Sequence, residues 1–291
     1  MSARCTPNGP SIGYQSTARA WIVGAVLAIG CVLNPAHSAA GGPAVSAVNG
    51  KLDLQGGASN GTGTALTEGS LSVPLGRNFG LQVDGALGKR EPQNVGGTGG
   101  HLFWRDPDLG LMGLVTERIW IGDRFFNRAG AEGELYESRW TLAGAAGYQN
   151  GLVPHSLYTK LDLRLYLTED LMISPGIHQS GGRYLGRGSI EWQAGSIGRT
   201  GLALFADAGA GTHGTGFIVA GVRLYFGAAK SLKRRHREDD PPNSLGGDLL
   251  DNAGFIHSST PSATSNSGSD GGGGGGGGPC HGPSCGVGGP A

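Results

Sequence analysis

The chain has 291 residues, 58 of them glycine, and its 22 basic and 22 acidic side chains leave a formal net charge of zero. A glycine share near one in five against about 7% on average, with 15% charged residues against about 25%, argues against an ordinary soluble domain with a charge-laced surface. Zero net charge gives no general attraction to nucleic acid, which is excluded as a partner.

The first 40 residues read as an export signal. Arg4 and Arg19 supply positive charge, an apolar run from Ala20 to Leu33 follows, and Ala36, Ser38, Ala39 and Ala40 offer a cleavage site. The run falls short of the roughly 20 residues needed to span a bilayer. Uncleaved anchoring and lipoprotein processing at Cys31 are the alternatives. Cleavage would remove Cys5 and Cys31 and leave Cys280 and Cys285, so no disulfide framework is expected in the body.

Residues 44–227 form a patterned body. Its mark is an alternation of period two, which only an extended chain converts into two unlike faces. Lys51 to Gln55 and Ser70 to Val73 show it briefly. Between Gly80 and Gly88, Leu81, Val83 and Leu87 oppose Gln82 and Asp84. Residues 109–121 and 124–137 are apolar without a clean register. Arg139 to Tyr148 sets Trp140, Leu142 and Tyr148 on one side. From Leu157 to Leu167, five leucines face away from Lys160, Asp162 and Arg164. Further on, Tyr184, Ile190 and Trp192 oppose Arg183, Arg187 and Glu191; Leu202 and Leu204 oppose Asp207; and Ile218 to Phe226 opposes Arg223.

Turn chemistry separates these segments. Short links (76–78, 106–108, 137–138, 168–170, 195–200) roughly alternate with longer ones (56–64, 89–97, 119–127, 149–156, 179–182, 211–215). The expected fold is all-β: an antiparallel up-and-down transmembrane barrel of about twelve strands, with tight periplasmic turns and longer outside loops. Closure gives every backbone N–H and C=O an internal partner in lipid. Trp104, Trp140, Tyr148, Tyr184, Trp192 and Phe226 are expected at the membrane–water boundary. Asp84, Lys160, Asp162, Arg164, Arg183, Arg187, Glu191, Asp207 and Arg223 are the candidate lumen-facing residues. If they pair, they brace the barrel; if cations cluster, they favour anions. About twelve strands suggest a braced or narrow lumen rather than a wide pore.

Residues 228–291 are expected to be a disordered tail, first basic (Lys230 to Arg237), then rich in Gly and Ser, with eight glycines from Gly271 to Gly278. The basic run reads as a solvated linker or a headgroup contact. Cys280, His281 and Cys285 suit a local disulfide better than a metal site, which needs four ligands when structural. No catalytic, metal or cofactor site is assigned. His101, His155, His178 and His213 lack a nucleophile at a recognisable spacing, and Gly96 to Gly100 lacks the Lys of a phosphate loop and reads as a flexible loop.

The stretch Phe217 to Phe226 resembles the closing strand of outer-membrane β-barrel proteins, and signal plus body is similar to the porin-like barrels of alphaproteobacteria. The resemblance implies outer-membrane lipid and the barrel-assembly machinery as partners, with Phe226 as the candidate assembly signal, although in such proteins the aromatic commonly ends the chain. The function so implied is structural, or a narrow channel for small polar solutes. The alternatives are adhesion through outside loops and a membrane-embedded enzyme.

Overall fold

The computed structural model describes residues 42–153, 155–239, 245–253 and 255. Twelve strands run in chain order: β1 (Asn49–Ser59), β2 (Thr62–Leu75), β3 (Phe79–Arg90), β4 (Gln93–Asp106), β5 (Gly110–Ile121), β6 (Arg124–Glu137), β7 (Trp140–Gly151), β8 (Ser156–Thr168), β9 (Leu171–Ser180), β10 (Arg183–Ile197), β11 (Thr200–Gly211) and β12 (Gly216–Phe226). Each pairs antiparallel with its neighbours in sequence, and β1 pairs with β12 to close the barrel. Closure is the expected solution to the unpaired-edge problem.

The seam is also held by side chains. Asp53 lies opposite Arg223 in the β1–β12 register, and the guanidinium donates to both carboxylate oxygens, Nε to Oδ1 and Nη2 to Oδ2, at 2.7 Å each. Parity is consistent across the barrel. Leu87, Leu114, Ile177 and Ile218 are 62–66% exposed on the outside, while the charged side chains of alternate positions are buried within.

Aromatics collect outside near both rims. Phe79, Trp104, Trp140 and Phe226 lie toward the rim where β1 starts and β12 ends, here the terminal rim. Trp120, Phe125, Tyr148 and Tyr184 lie toward the opposite, far rim. Arg118, exposed near the far rim, rests its guanidinium 4.1 Å from the Phe125 ring.

Two expectations need correction. The links at the far rim (60–61, 91–92, 122–123, 152–155, 181–182, 212–215) are as tight as those at the terminal rim (76–78, 107–109, 138–139, 169–170, 198–199). Gly181 and Gly182 do form a turn, whereas some other glycine-rich stretches read as loops are strand instead, Gly96 to Gly100 within β4 among them. There glycine serves close packing: a Cβ on Gly88 would come within 2.2 Å of the Ala65 carbonyl oxygen on β2.

The second correction concerns the segment after β12. Residues 232–238 form a helix, α1 (Leu232–Glu238), and residues 245–252 a second, α2 (Leu245–Asn252). Isolated helices this short are marginal in water, so barrel contacts must hold them. The expected disorder does not extend to these residues. The glycine run, the cysteines of the tail and the export signal lie outside the described residues.

Candidate functional site: a lumen filled by the chain's own C-terminal segment

α1 lies across the terminal rim. Its Leu232 is wholly buried against Tyr166, Met172, Ala203 and Tyr225. The Leu232 amide donates to Asp170 Oδ1 at 3.0 Å and the Lys233 amide to the Glu169 carbonyl at 3.0 Å. The basic run is spent partly on the barrel, through Lys233, Arg235 and Arg237, and partly within the segment, through Lys230 and Arg234. Lys233 Nζ meets Glu169 Oε1 at 2.5 Å, Lys230 Nζ meets Asp239 Oδ1 at 2.6 Å, and Arg237 donates to the carbonyls of Glu137 and Trp140. Arg235 is 2% exposed, donating through Nε to Gln193 Oε1 at 2.9 Å. The residues before β1 join the seal, with the Ser46 amide donating to the Glu238 carbonyl at 2.9 Å. Glu169, in a terminal-rim turn, has its carboxyl held below the usual range by the Lys233 hydrogen bond.

α2 sits inside the barrel, with all eight residues buried. Its N-terminal amides meet a waiting carboxylate: Leu245 N donates to Glu68 Oε1 at 2.7 Å and Gly246 N to Glu68 Oε2 at 2.9 Å. A negative charge at a helix N-terminus satisfies orphan donors and suits the dipole. The fit is close, since a Cβ on Gly246 would stand 2.7 Å from Gln55 Nε2 and 2.8 Å from Glu68 Oε2, and those side-chain ends would have to shift. Gly97 of β4 yields space from the wall side, its virtual Cβ lying 3.1 Å from Leu245.

Asp248 and Asp251 of α2 answer the cations of the wall. Arg128 Nη1 donates to Asp248 Oδ1 at 2.7 Å, and Lys160 Nζ donates to Asp248 Oδ2. His178 Nδ1 meets Asp251 Oδ2 at 2.6 Å, and Arg187 Nη1 lies 3.6 Å from Asp251 Oδ1. The last turn reaches the far end of β9, where Ser180 Oγ donates to Asn252 Oδ1 at 2.6 Å. The apolar side is equally committed. Leu245, Leu249, Leu250 and Phe255 pack among Leu66, Val95, Ile119, Phe126, Val153, Leu185, Phe217 and Val219. This apolar collar escaped the sequence reading. Leu185 shares the parity of Arg183 and Arg187, and Phe217 and Val219 that of Arg223, which was the signal available.

The expected lumen residues fall into distinct groups. Asp84 is buried on β3, accepting from Gln82 Nε2 at 2.9 Å and meeting His101 Nε2 at 3.0 Å. The other ring nitrogen of His101 is 2.9 Å from Glu132 Oε1. Arg164 donates to Glu134 at 2.5 Å. Glu191 accepts from Arg223 Nη1 at 2.7 Å and from the Tyr225 hydroxyl at 2.6 Å. Asp162 lies 3.1 Å from His178 Nε2. Lys160 and Arg187 serve α2, as above. Arg183 is half-buried at the far rim, donating to Thr215 Oγ1 at 3.3 Å and lying 4.1 Å over the Phe255 ring. Asp207 is half-buried on β11 and lines a polar cavity of about 90 Å³ with Asp162, Arg164, Arg187, Glu191 and Arg223. That space suits a few waters rather than a solute. His101 and His178 each engage carboxylates through both nitrogens, whereas His155 only meets the Tyr148 hydroxyl at 3.0 Å and His213 occupies a left-handed turn position at φ 60°. Among the described residues no group of His, Cys, Asp and Glu is arranged to hold a metal ion. Phe226 ends β12 on the outer face, 43% exposed.

No family model matches the chain, and no curated protein matches it. Among solved structures, the KdgM porin in complex with disordered oligogalacturonate is 8% identical with a TM-score of 0.48, the match covering 62% of this chain and 99% of that one. An outer membrane channel from Pseudomonas putida F1 is 13% identical with a TM-score of 0.43, covering 62% and 95% of the two chains. The outer membrane protein Omp33 of Acinetobacter baumannii is 14% identical with a TM-score of 0.39, covering 62% and 96%. The likeness is one of barrel shape.

Proposed function

We propose that the chain is an outer-membrane β-barrel protein of the structural or narrow-channel type, closed in the state described by its own C-terminal segment. The observation that carries this is the segregation of faces. Large apolar side chains such as Leu87 and Ile218 stand 65–66% exposed around the outside, while Arg223, Asp53 and Glu191 form ion pairs buried within. In water such an apolar belt is an aggregation surface. In lipid it is the required solvent contact, and the aromatics near each rim fit the interfaces. Affinity with porin-like barrels of alphaproteobacteria belongs to the same reading, as does recognition of Phe226 by the assembly machinery.

The lumen favours closure over free passage. α1 covers one rim, α2 fills the far half, and the cavity between them holds only a few waters. Adhesion through outside loops finds little support, since the far links span two to four residues.

The test is heat-modifiability of the membrane fraction on a detergent gel, followed by planar-bilayer recording. The folded protein is expected to migrate differently before and after boiling. The full chain should be electrically silent, and a chain ending at Gly227 should conduct. Recovery of the protein from the soluble fraction, with one migration, would end the membrane reading. A truncated chain that inserts and stays silent would leave a structural barrel and no channel.

A further inference from the structure

One sector of the outer wall departs from the apolar rule. Thr98 of β4, Arg118 of β5, Asn127 of β6 and Asn150 of β7 share the outward parity, and each lies directly across from the next in the strand register. Four hydrogen-bonding side chains thus form one row across four strands. With neighbouring strands about 4.8 Å apart, the row is about 14 Å wide. It lies near the far rim, with Arg118 three residues before the last residue of β5 and Asn127 three after the first of β6. At the same distance from that rim, β1, β3, β9, β10 and β11 present Gly56, Leu87, Ile177, Gly186 and Ala208 outside. Trp120, Phe125 and Tyr148 flank the row, as rings do at a membrane–water boundary.

The amides of the row answer each other, Asn127 Nδ2 donating to Asn150 Oδ1 at 3.3 Å. Arg118 has no such answer. Its guanidinium is exposed, rests 4.1 Å from the Phe125 ring and makes no ion pair among the described residues. A ring stacked on one face of a guanidinium leaves its N–H edge open to an acceptor. Four residues farther from the rim along the same strands, the register aligns Leu102, Leu114, Ala131 and Ala146, a row without a polar side chain.

We propose that the outer wall of β4–β7 binds a lipid carrying a phosphate monoester. Arg118 holds the phosphate, Thr98, Asn127 and Asn150 hydrogen-bond its ester and hydroxyl oxygens, and the apolar row below receives an acyl chain. This rests on the membrane reading, in which the outer wall meets headgroups near its rims. Arginine matches phosphate in charge and in the geometry of its paired donors. A free anion has no use for the apolar row, which assigns the ligand to the bilayer.

Native mass spectrometry of the full chain, released from phosphatidylcholine nanodiscs with a minor share of phosphatidic acid, tests the site. Phosphatidic acid is expected to stay bound in preference to phosphatidylcholine. Arg118→Gln should lower that preference about tenfold, the effect of losing one charge-assisted hydrogen bond. Lys89→Gln removes another exposed far-rim cation, one that already pairs with Glu91 at 3.2 Å, and should leave the preference unchanged. Equal losses in both variants would show a general pull of the rim and overturn the site, as would no loss in Arg118→Gln. Stripping of the bound lipid by millimolar inorganic phosphate would assign the row to a free anion and overturn the lipid. All three of these outcomes leave the membrane reading intact, whereas a chain that never enters nanodiscs ends both.

Discussion

Replacing Asp248 by alanine isolates what holds α2 in the barrel. The carboxylate faces Arg128 Nη1 at 2.7 Å and also accepts from Lys160, and both oxygens are deeply buried. Removing one partner of a buried ion pair typically costs about 3–5 kcal/mol, because the other charge is left uncompensated. Arg128 retains Gln149 at 3.1 Å and Glu117 at 3.7 Å, which places the cost at the lower end. The barrel need not unfold to escape it. If α2 withdraws, water enters and hydrates Arg128 and Lys160, so the penalty falls on the docked state of the helix alone. A cost of about 3 kcal/mol raises the undocked fraction ~150-fold. Amide hydrogen exchange in detergent micelles reads that ratio directly. Protection of Leu249 and Leu250 should fall by about two orders of magnitude, while strand amides of β6 and β8 keep theirs. Adding Lys160→Met should restore part of the protection, since it withdraws one of the stranded charges. Unchanged protection in Asp248→Ala, or an equal loss throughout β6 and β8, would refute the reasoning.

Three further outcomes follow from the same geometry. Leu163→Arg puts a cation outside at the middle of β8, where the cost in lipid is about 2–4 kcal/mol, so the urea midpoint and yield of heat-modifiable protein should both fall. A channel opened by truncation after Gly227 should favour anions by reversal potential, because Arg128, Lys160, His178 and Arg187 lose the two carboxylates of α2 together. The α1 seal should loosen in acid. Burial pushes the His236 imidazole down, with Arg164 and Arg223 adding to the effect against the opposing pull of Glu191, while the Tyr166 and Tyr225 hydroxyls sit 3.1 Å from its two nitrogens. The released state therefore binds the proton more readily, and stability of the docked helix declines as pH drops below about 6.5. Exchange protection of α1, corrected for intrinsic rates, should decrease between pH 7 and 5, and His236→Phe should flatten that decrease.

The closed antiparallel barrel was legible because the membrane reading depends on parity, and parity survives in sequence wherever charged and apolar side chains alternate, as from Leu157 to Leu167. Loop lengths were misread because glycine signals two things. It marks turns, as at Gly181 and Gly182 with φ of 55° and 80°, and it marks strands pressed against a neighbour, as at Gly88. Composition cannot separate these without knowing what lies across the sheet. The lumen contents were harder still. Leu-Gly-Gly-Asp-Leu-Leu-Asp-Asn is too short to declare itself as a helix, and its two glycines argue against one. Its meaning comes from partners far away in sequence: Glu68 for the N-terminal amides, Arg128 and Lys160 for Asp248, and His178 for Asp251.

Those partners explain why charge balance alone did not separate a braced lumen from a pore. Near the terminal rim the wall neutralises itself, with Arg223 between Asp53 and Glu191 and Arg164 on Glu134, and such pairs need no further guest. Toward the far rim the wall supplies Arg128, Lys160, His178 and Arg187 beneath an apolar collar of Ile119, Phe126, Leu185 and Phe217. A surface of that kind is costly to leave to water alone. Its cations need carboxylates, and its apolar residues need cover that water does not provide. An eight-residue helix with two aspartates on one side and Leu245, Leu249 and Leu250 on the other meets both demands at once. The far half of the lumen is thus built as a receptor for a ligand with an anionic and an apolar side, and the chain supplies that ligand from its own C-terminal segment.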